Sequence, residues 1–229
     1  MKHIFIAIAL LVGVSPFAWA QCRDNVVLVH GNTSSPSSWN NTREQLYAQG
    51  YTDTQIFAPN WGSKTCASCN DHNGSEELPV REAILDAINQ SCSGKIDIIG
   101  HSMGVTLAAQ QVYKLGVSAD IDAFVGVAGA LRGLLSCGVY PYNVWNSTCG
   151  YHGLSVSSPF LDGLYGQQFA NRVYSIKSYA DQVVCATGSC YVYGIHSSRI
   201  WHETATFTYA LGHFGLQTDT AVKQVSLIQ

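Results

Sequence analysis

Short apolar runs rich in β-branched residues alternate along the chain with longer segments whose apolar positions recur at helical spacing. A continuous apolar run is typical of a strand buried on both faces of a sheet, and the longer period is typical of an amphipathic helix. The predicted strands cover 25–30, 54–59, 95–99, 121–128 and 172–178, and a late strand or extended segment covers 204–211. The predicted helices cover 38–49, 77–91, 102–115 and 219–227. This alternation predicts an α/β fold with a mostly parallel central sheet and helices on both faces.

A different pattern marks residues 1–20. Lys2 and His3 give a weakly basic start, and an apolar stretch too short to cross a bilayer follows at 4–14. Ala18-Trp19-Ala20 then has the small-x-small form of a signal-peptidase site. We expect a signal peptide at 1–20, cleaved to leave one exported domain at 21–229 with no stable membrane insertion. An uncleaved anchor is the alternative.

All eight cysteines follow the predicted cleavage site, and an even count in an exported chain predicts disulfides. Cys22 lies four residues before Val26 and Cys92 lies four residues before Ile96, near the starts of two predicted strands. Parallel neighbouring strands would therefore bring the two cysteines to one edge of the sheet. Position therefore favours the pairs Cys22–Cys92, Cys66–Cys69, Cys137–Cys149 and Cys185–Cys190. A zinc site at Cys66, Cys69 and His72 is the alternative, but no second ligand pair stands at finger-like spacing, so no metal is expected.

Composition limits the class of partner. Charged residues make up 12% of the 229 residues, the net charge is −3, and no Lys/Arg run is present, so nucleic acid is not an expected partner. A hydrophobic share of 47% suits a protein that meets an apolar or insoluble substrate, and it equally suits any well-packed secreted enzyme.

The strand at 95–99 and the helix at 102–115 are joined by Gly100-His101-Ser102-Met103-Gly104, which has the form Gly-x-Ser-x-Gly. In such a turn the serine backbone is strained, its hydroxyl is exposed, and the glycines let the helix fold back on the strand. The helix N-terminus also directs free N–H groups at an anion beside the serine. We therefore predict a nucleophile elbow with Ser102 at its apex. The alternative, an ordinary glycine-rich turn, would not require a serine there.

A nucleophilic serine needs a base and an acid that orients the base. Asp181 follows the strand at 172–178 by three residues and fits the acid, the alternative being a residue that only caps a turn. His213, flanked by glycines in a predicted loop before the last helix, fits the base. The less well-placed candidates are Asp120, Asp122, Asp162, Glu203, Asp219, His152, His196 and His202. We expect these three histidines and His72 to be surface or packing residues.

The oxyanion formed by attack of the serine should be stabilised by two backbone N–H groups. One belongs to Met103, directly after the nucleophile, and the other to Asn32, in the loop that follows the first strand. Gly31 lets that loop turn its amides inward. One such donor typically contributes a factor of about 10²–10³ to the rate.

These blocks resemble known families. Four blocks carry the first resemblance: His30-Gly31-Asn32, 96–104, Asp181-Gln182-Val183 and Gly212-His213-Phe214. They resemble small secreted bacterial lipases of the triacylglycerol lipase class, which have a near-minimal α/β-hydrolase fold. A second resemblance is closer still and is carried by the stretches 101–105, 131–137, 148–150 and 181–187. These stretches resemble the extracellular poly(3-hydroxybutyrate) depolymerases related to those lipases. The resemblance implies ester hydrolysis through an acyl-enzyme, with no metal or organic cofactor.

The lead hypothesis is therefore a secreted carboxylic ester hydrolase, either a lipase or an esterase. A polyester depolymerase with the same triad is the nearest alternative, and a catalytically silent binding protein of the same fold is the alternative from another class. A peptidase or acyltransferase also stays open, because fold and triad do not choose the acyl acceptor.

The connection at 129–169 is rich in Gly, Ser and aromatic residues and is unusually long for a compact domain. We expect either an excursion over the active-site face, stapled by Cys137–Cys149, or a packed surface loop with no role in substrate binding.

Overall fold

The computed structural model describes residues 22–142 and 146–229, so the predicted signal peptide and Trp145 lie outside the described residues. The strands are Asn25–Val29 (β1), Ile56–Phe57 (β2), Ile96–His101 (β3), Ile121–Val127 (β4), Leu134–Val139 (β5), Ser155–Val156 (β6), Arg172–Lys177 (β7), Tyr191–Val192 (β8), Ile195–His196 (β9) and Ala205–Thr208 (β10). The α-helices are Asn40–Ala48 (α1), Glu77–Gln90 (α2), Met103–Leu115 (α3), Pro159–Gly163 (α4), His213–Asp219 (α5) and Ala221–Ser226 (α6).

Six strands form one sheet in the order β10-β7-β4-β3-β1-β2, and every neighbouring pair is parallel. β1 and β3 pair without interruption, from Asn25 opposite Ile96 to Val29 opposite Gly100. The prediction of a mostly parallel sheet is confirmed. Since the strands are parallel, the loops that follow β1, β3 and β7 all leave from the same edge.

Alternate residues of each strand belong to two separate apolar cores. Val27 and Val29 pack in the core that contains α2 and α3, whereas Val26 and Leu28 pack in the core that contains residues of α1, α5 and α6. Successive side chains of a strand point to opposite faces of the sheet, so two cores filled by alternate residues mean that both faces are covered. The predicted helices on both faces of the sheet are confirmed.

The structure corrects the prediction for the end of the chain. One helix was expected over 219–227, but the chain forms α5 and α6, with a break at Thr220. His213 is the first residue of α5, so its predicted placement in a loop was wrong. Gly212 and Gly215 lower the intrinsic helix propensity of this stretch, which is why the sequence pattern did not show the helix.

The segment at 129–169 has secondary structure of its own. It contains β5 and β6, which pair with each other, and the short helix α4. It is fastened to the body of the domain by a hydrogen bond from the His72 N–H to the His152 carbonyl (3.0 Å) and by Thr148 Oγ1, which donates to the carbonyls of Ala67 and Asn70 (both 2.6 Å).

Four disulfides join Cys22–Cys92, Cys66–Cys69, Cys137–Cys149 and Cys185–Cys190, the same pairs that position in the sequence favours. The Cys66–Cys69 bond contradicts the zinc alternative, and the ring of His72 is hydrogen-bonded to Thr106 and the His152 carbonyl instead. Within the described residues, no helix has the length and apolar character needed to cross a membrane.

Candidate active site

Ser102 lies between the last residue of β3 and the first residue of α3, in a backbone conformation that non-glycine residues rarely adopt. Its φ is 55° and its ψ is −129°. Its N–H donates to the carbonyl of Val127 at the end of β4 (2.9 Å), which ties the turn to the neighbouring strand. A serine held in a strained conformation between a strand and a helix is the geometry of a nucleophile elbow.

Close backbone packing around the turn explains its glycines. A Cβ on Gly100 would lie 2.9 Å from Cα of Val105, and a Cβ on Gly31 would lie 3.0 Å from Cβ of Ser102. A Cβ on Gly104 would overlap the backbone oxygens of Val29 and His30. These three glycines therefore let the elbow, α3 and the loop after β1 approach one another.

Asp181 and His213 meet in the interior at the carboxyl edge of the sheet. Nδ1 of His213 lies 2.9 and 2.8 Å from the two carboxylate oxygens of Asp181, and the two residues are 2% and 1% exposed. Oδ1 of Asp181 also accepts from the N–H groups of Val183 and Val184 (2.9 Å each). Burial by itself raises the pKa of Asp181, but the hydrogen bond and charge of His213, together with the two N–H donors, outweigh it and lower that pKa. The carboxylate is thus kept ionised beside the imidazole.

Two further side chains fix His213, and the sequence analysis did not assign this role to either. Oε1 of Gln182 accepts from the His213 N–H (2.9 Å), and Nε2 of His101 donates to the His213 carbonyl (3.1 Å). Burial lowers the pKa of His101 to about 3, so its ring is neutral near pH 7. The position of Gln182 next to Asp181 was the only signal in the sequence that could have pointed to its role.

Ser102 and His213 line the same cleft, whose volume is about 180 Å³. Its other walls come from the loop after β1, from Ala67, from Val183, and from Phe214 and Gln217 of α5. Within the described part of the chain, Oγ of Ser102 and the His213 ring share no hydrogen bond; serine–histidine contacts of this kind commonly tighten only when substrate binds. Nδ1 of His213 is occupied by Asp181, which leaves Nε2 for proton transfer.

Of the two backbone donors predicted for the oxyanion, one follows Ser102 in the chain and the other lies in the loop after β1. Met103 is the first residue of α3, so its N–H has no partner within the helix. Among the described residues, none accepts a hydrogen bond from the Asn32 N–H, and Asn32 lines the cleft together with Ser102.

Other predicted candidates lie elsewhere. His196 is buried and bonds the Ser178 carbonyl (3.1 Å), whereas His202 is exposed and bonds the Gly166 carbonyl (2.9 Å). No described residue of 129–169 lines the cleft of Ser102. Leu131 and Tyr165 from that segment line a separate cavity of about 320 Å³, beside Trp201.

Comparison with known proteins gives the family and the fold. The family model described as Lipase (class 2) matches residues 23–226. The mature lipase BlEst2 of Bacillus licheniformis superposes with a TM-score of 0.61 at 13% identity, over 91% of this chain and 93% of that protein. A monoacylglycerol lipase of Paleococcus ferrophilus superposes with a TM-score of 0.60 at 14% identity, over 90% of this chain and 95% of that protein.

Lipase B of Aspergillus fumigatus gives a TM-score of 0.57 at 16% identity, over 90% of this chain, which spans only 53% of that larger protein. At such identities the solved structures establish the fold, and the α/β-hydrolase fold expected from the sequence is confirmed. The family match covers most of the chain and establishes membership. The chain belongs to the class 2 lipases and is a carboxylic ester hydrolase of the α/β-hydrolase fold.

Proposed function

We propose that the protein is a secreted serine ester hydrolase in which Ser102, His213 and Asp181 form the catalytic triad. The observation that carries this proposal is one cleft that contains both a serine at φ 55° and a histidine whose Nδ1 is bonded to a buried carboxylate. This is the arrangement that activates a hydroxyl group for attack on an acyl carbon.

The reaction follows from the roles of these groups. Nε2 of His213 takes the proton of Ser102 as Oγ attacks the ester carbonyl, and the N–H groups of Asn32 and Met103 donate to the oxygen that becomes negative. The imidazolium then protonates the departing alcohol, which leaves an acyl-enzyme. A water molecule, deprotonated by the same imidazole, attacks the acyl-enzyme. The acyl–oxygen bond to Ser102 then breaks, the imidazolium returns the proton to Oγ, and the acid is released. Asp181 holds the ring in the tautomer with a proton on Nδ1 and stabilises the imidazolium.

Ser102→Ala tests the proposal. We expect loss of p-nitrophenyl ester hydrolysis with an unchanged far-ultraviolet circular dichroism spectrum, and loss of labelling by a fluorophosphonate probe. Ser157→Ala is the matched control, because Ser157 also has a positive φ (58°) but lies outside the cleft. Unaltered turnover in Ser102→Ala would refute the triad, and a wild-type protein that is never labelled would favour the silent binding protein.

Exposed aromatic residues near the site support an apolar ester as substrate. Phe214 is 65% exposed and lines the cleft, and Tyr179, two residues before Asp181 in the chain, is exposed as well. The same surface favours a solid polyester as the second candidate. A panel of acyl esters from acetate to long chains, together with emulsified triglyceride and a poly(3-hydroxybutyrate) suspension, separates the two by which substrate is hydrolysed.

Export is supported by the four disulfides and by the sequence pattern at 1–20. Expression in a bacterial host followed by N-terminal sequencing of the exported protein tests it. The expected first residue is Gln21, and a product that retains Met1 and stays with the cells would contradict cleavage after Ala20.

A further inference from the structure

The loop that carries Asn32 is in a backbone conformation that needs support from outside. Thr33, a β-branched residue, has φ 56°, and the loop has one backbone hydrogen bond of its own, from the Ser34 N–H to the Gly31 carbonyl (3.2 Å). Such conformations persist only when surrounding contacts determine them. The segment at 61–70 supplies those contacts.

His30 forms the first part of the contact. Its ring stacks on Trp61 with centroids 5.1 Å apart, and Nε1 of Trp61 donates to the His30 carbonyl (3.0 Å). Nε2 of His30 accepts from the Trp61 N–H (3.3 Å), so Nδ1 carries the proton and donates to the Gly31 carbonyl (2.8 Å). Burial lowers the pKa of His30 to about 4, and the neutral ring keeps this tautomer near pH 7.

The side chain of Asn32 forms the second part. Its Nδ2 donates to the Ala67 carbonyl (2.9 Å), and its Oδ1 accepts from Nδ2 of Asn70 (2.6 Å). Asn70 is only 1% exposed and is itself fixed by Ser63, whose N–H donates to Asn70 Oδ1 (2.7 Å) and whose carbonyl accepts from Asn70 Nδ2 (3.0 Å). Asn70 therefore cannot move with Asn32 and acts as a fixed anchor for it.

The Ala67 carbonyl is fixed as well. It lies in the turn closed by the Cys66–Cys69 disulfide, and Thr148 Oγ1 also donates to it (2.6 Å). Both hydrogen bonds to the Asn32 side chain thus come from rigid partners on the segment at 61–70. Both polar atoms of the Asn32 side chain are thus hydrogen-bonded, whereas no described residue accepts a hydrogen bond from its backbone N–H. Asn32 itself lines the cleft.

We propose that Asn70, acting together with the disulfide-closed turn at Ala67, is a positioning residue that holds the Asn32 N–H at the place where the oxyanion forms. Asn70 does not line the cleft, so it acts through Asn32. The inference rests on the proposed function, because the placement of this N–H matters only if Ser102 attacks a carbonyl group.

The test compares Asn70→Ala, Asn32→Ala and the double variant. Asn32→Ala keeps the backbone N–H and removes only the side chain that is held. We expect each single change to lower kcat about tenfold to a hundredfold with KM altered less than twofold, since a donor of this kind contributes about 10²–10³. Because both changes break the same contact, the double variant should be no slower than the slower single variant.

Asn25→Ala is the matched control. Asn25 is also a buried asparagine, 3% exposed, and its Nδ2 makes one hydrogen bond, to the Ala87 carbonyl (2.9 Å), at the opposite edge of the sheet. We expect this variant to lose stability but to keep its kcat. A trifluoromethyl ketone, whose adduct with Ser102 bears a negative oxygen, should bind Asn70→Ala more weakly by the same factor as the loss in kcat, while inhibition by the product carboxylate should not change.

The possible failures can be told apart. If Ser102→Ala keeps its turnover, the proposed function fails. If Ser102→Ala is inactive, the positioning role can be judged separately. That role alone is overturned if Asn70→Ala keeps its kcat and its affinity for the ketone, or if it loses no more kcat than Asn25→Ala. Should Asn70→Ala not fold, Cys66→Ser/Cys69→Ser gives the same test through Ala67, with loss of kcat as the supporting result and unchanged kcat as the contrary one.

Discussion

Replacing Gly100 by alanine tests whether the elbow depends on close backbone contact. The new Cβ would lie 2.9 Å from Cα of Val105, 3.0 Å from N of Val105 and 3.1 Å from O of Gly104. Unstrained carbon–carbon contacts are about 3.5–4.0 Å, so the first turn of α3 would have to move away by roughly half an ångström or more. The atoms that block the new Cβ are backbone atoms, which cannot turn aside as a side chain could.

We expect two consequences for Gly100→Ala. Overpacking of this kind costs about 1–3 kcal/mol in free energy of unfolding, which is a fall of about 2–12 °C in Tm for a domain of this size. The displaced turn carries Met103, one of the two proposed oxyanion donors, so kcat should fall by up to about 10²-fold. Urea unfolding monitored by tryptophan fluorescence gives the first quantity, and p-nitrophenyl ester hydrolysis gives the second.

Gly163→Ala is the control for this experiment. Gly163 ends α4, and a Cβ there would meet nothing within 4 Å. This change should leave kcat unaltered and leave stability unchanged or raised by up to about 1 kcal/mol. If Gly100→Ala and Gly163→Ala have equal unfolding midpoints and equal kcat, close contact at the elbow does not constrain the fold and the reasoning is refuted.

Three further results are expected. Asp181→Asn should lower kcat about 10⁴-fold with little change in circular dichroism, because the amide no longer fixes the tautomer of His213; retention of wild-type kcat would contradict this. Burial raises the pKa of Asp97 to about 8 from 3.8, so the folded state holds a proton that the unfolded state has lost and stability falls as pH rises from about 4 to 8. In Asp97→Asn the urea midpoint should fall less over that range than in the wild type, and identical pH dependence would exclude this titration. The Cys22–Cys92 bond joins residues 70 positions apart, so its removal should lower the free energy of unfolding by about 4 kcal/mol and leave kcat unchanged. Thermal unfolding and ester hydrolysis measure the two quantities.

Local patterns predicted most of the fold. The six sheet strands were each found within a few residues of their predicted positions. β1, β3 and β4 are buried runs rich in β-branched apolar residues, which is a local signal, whereas the edge strand β10 was predicted only as a late strand or extended segment. The strand, turn and helix around Ser102 were also predictable, since the glycines at 100 and 104 and the segments beside them are continuous in the sequence. The Cys22–Cys92 pair followed from the predicted strand starts, which the parallel sheet brings together, and the other three pairs join cysteines that are close in the sequence.

What the sequence did not show depends on contacts between distant parts of the chain. α5 begins at His213, where Gln182 and His101 bond the backbone of that residue from 31 and 112 positions away. Asn70 bonds Asn32 across 38 positions, with no periodic pattern or motif around it. A single buried amide has no signature until the fold gives it a partner.

The open wall of the cleft has a consequence for selectivity. Phe214 lines the cleft and is 65% exposed, so part of the wall beside Ser102 is open to solvent. We expect the end of a long acyl chain to lie along that open wall. An enzyme of this shape would discriminate weakly between chain lengths and would accept an ester bond in a molecule too large to be enclosed.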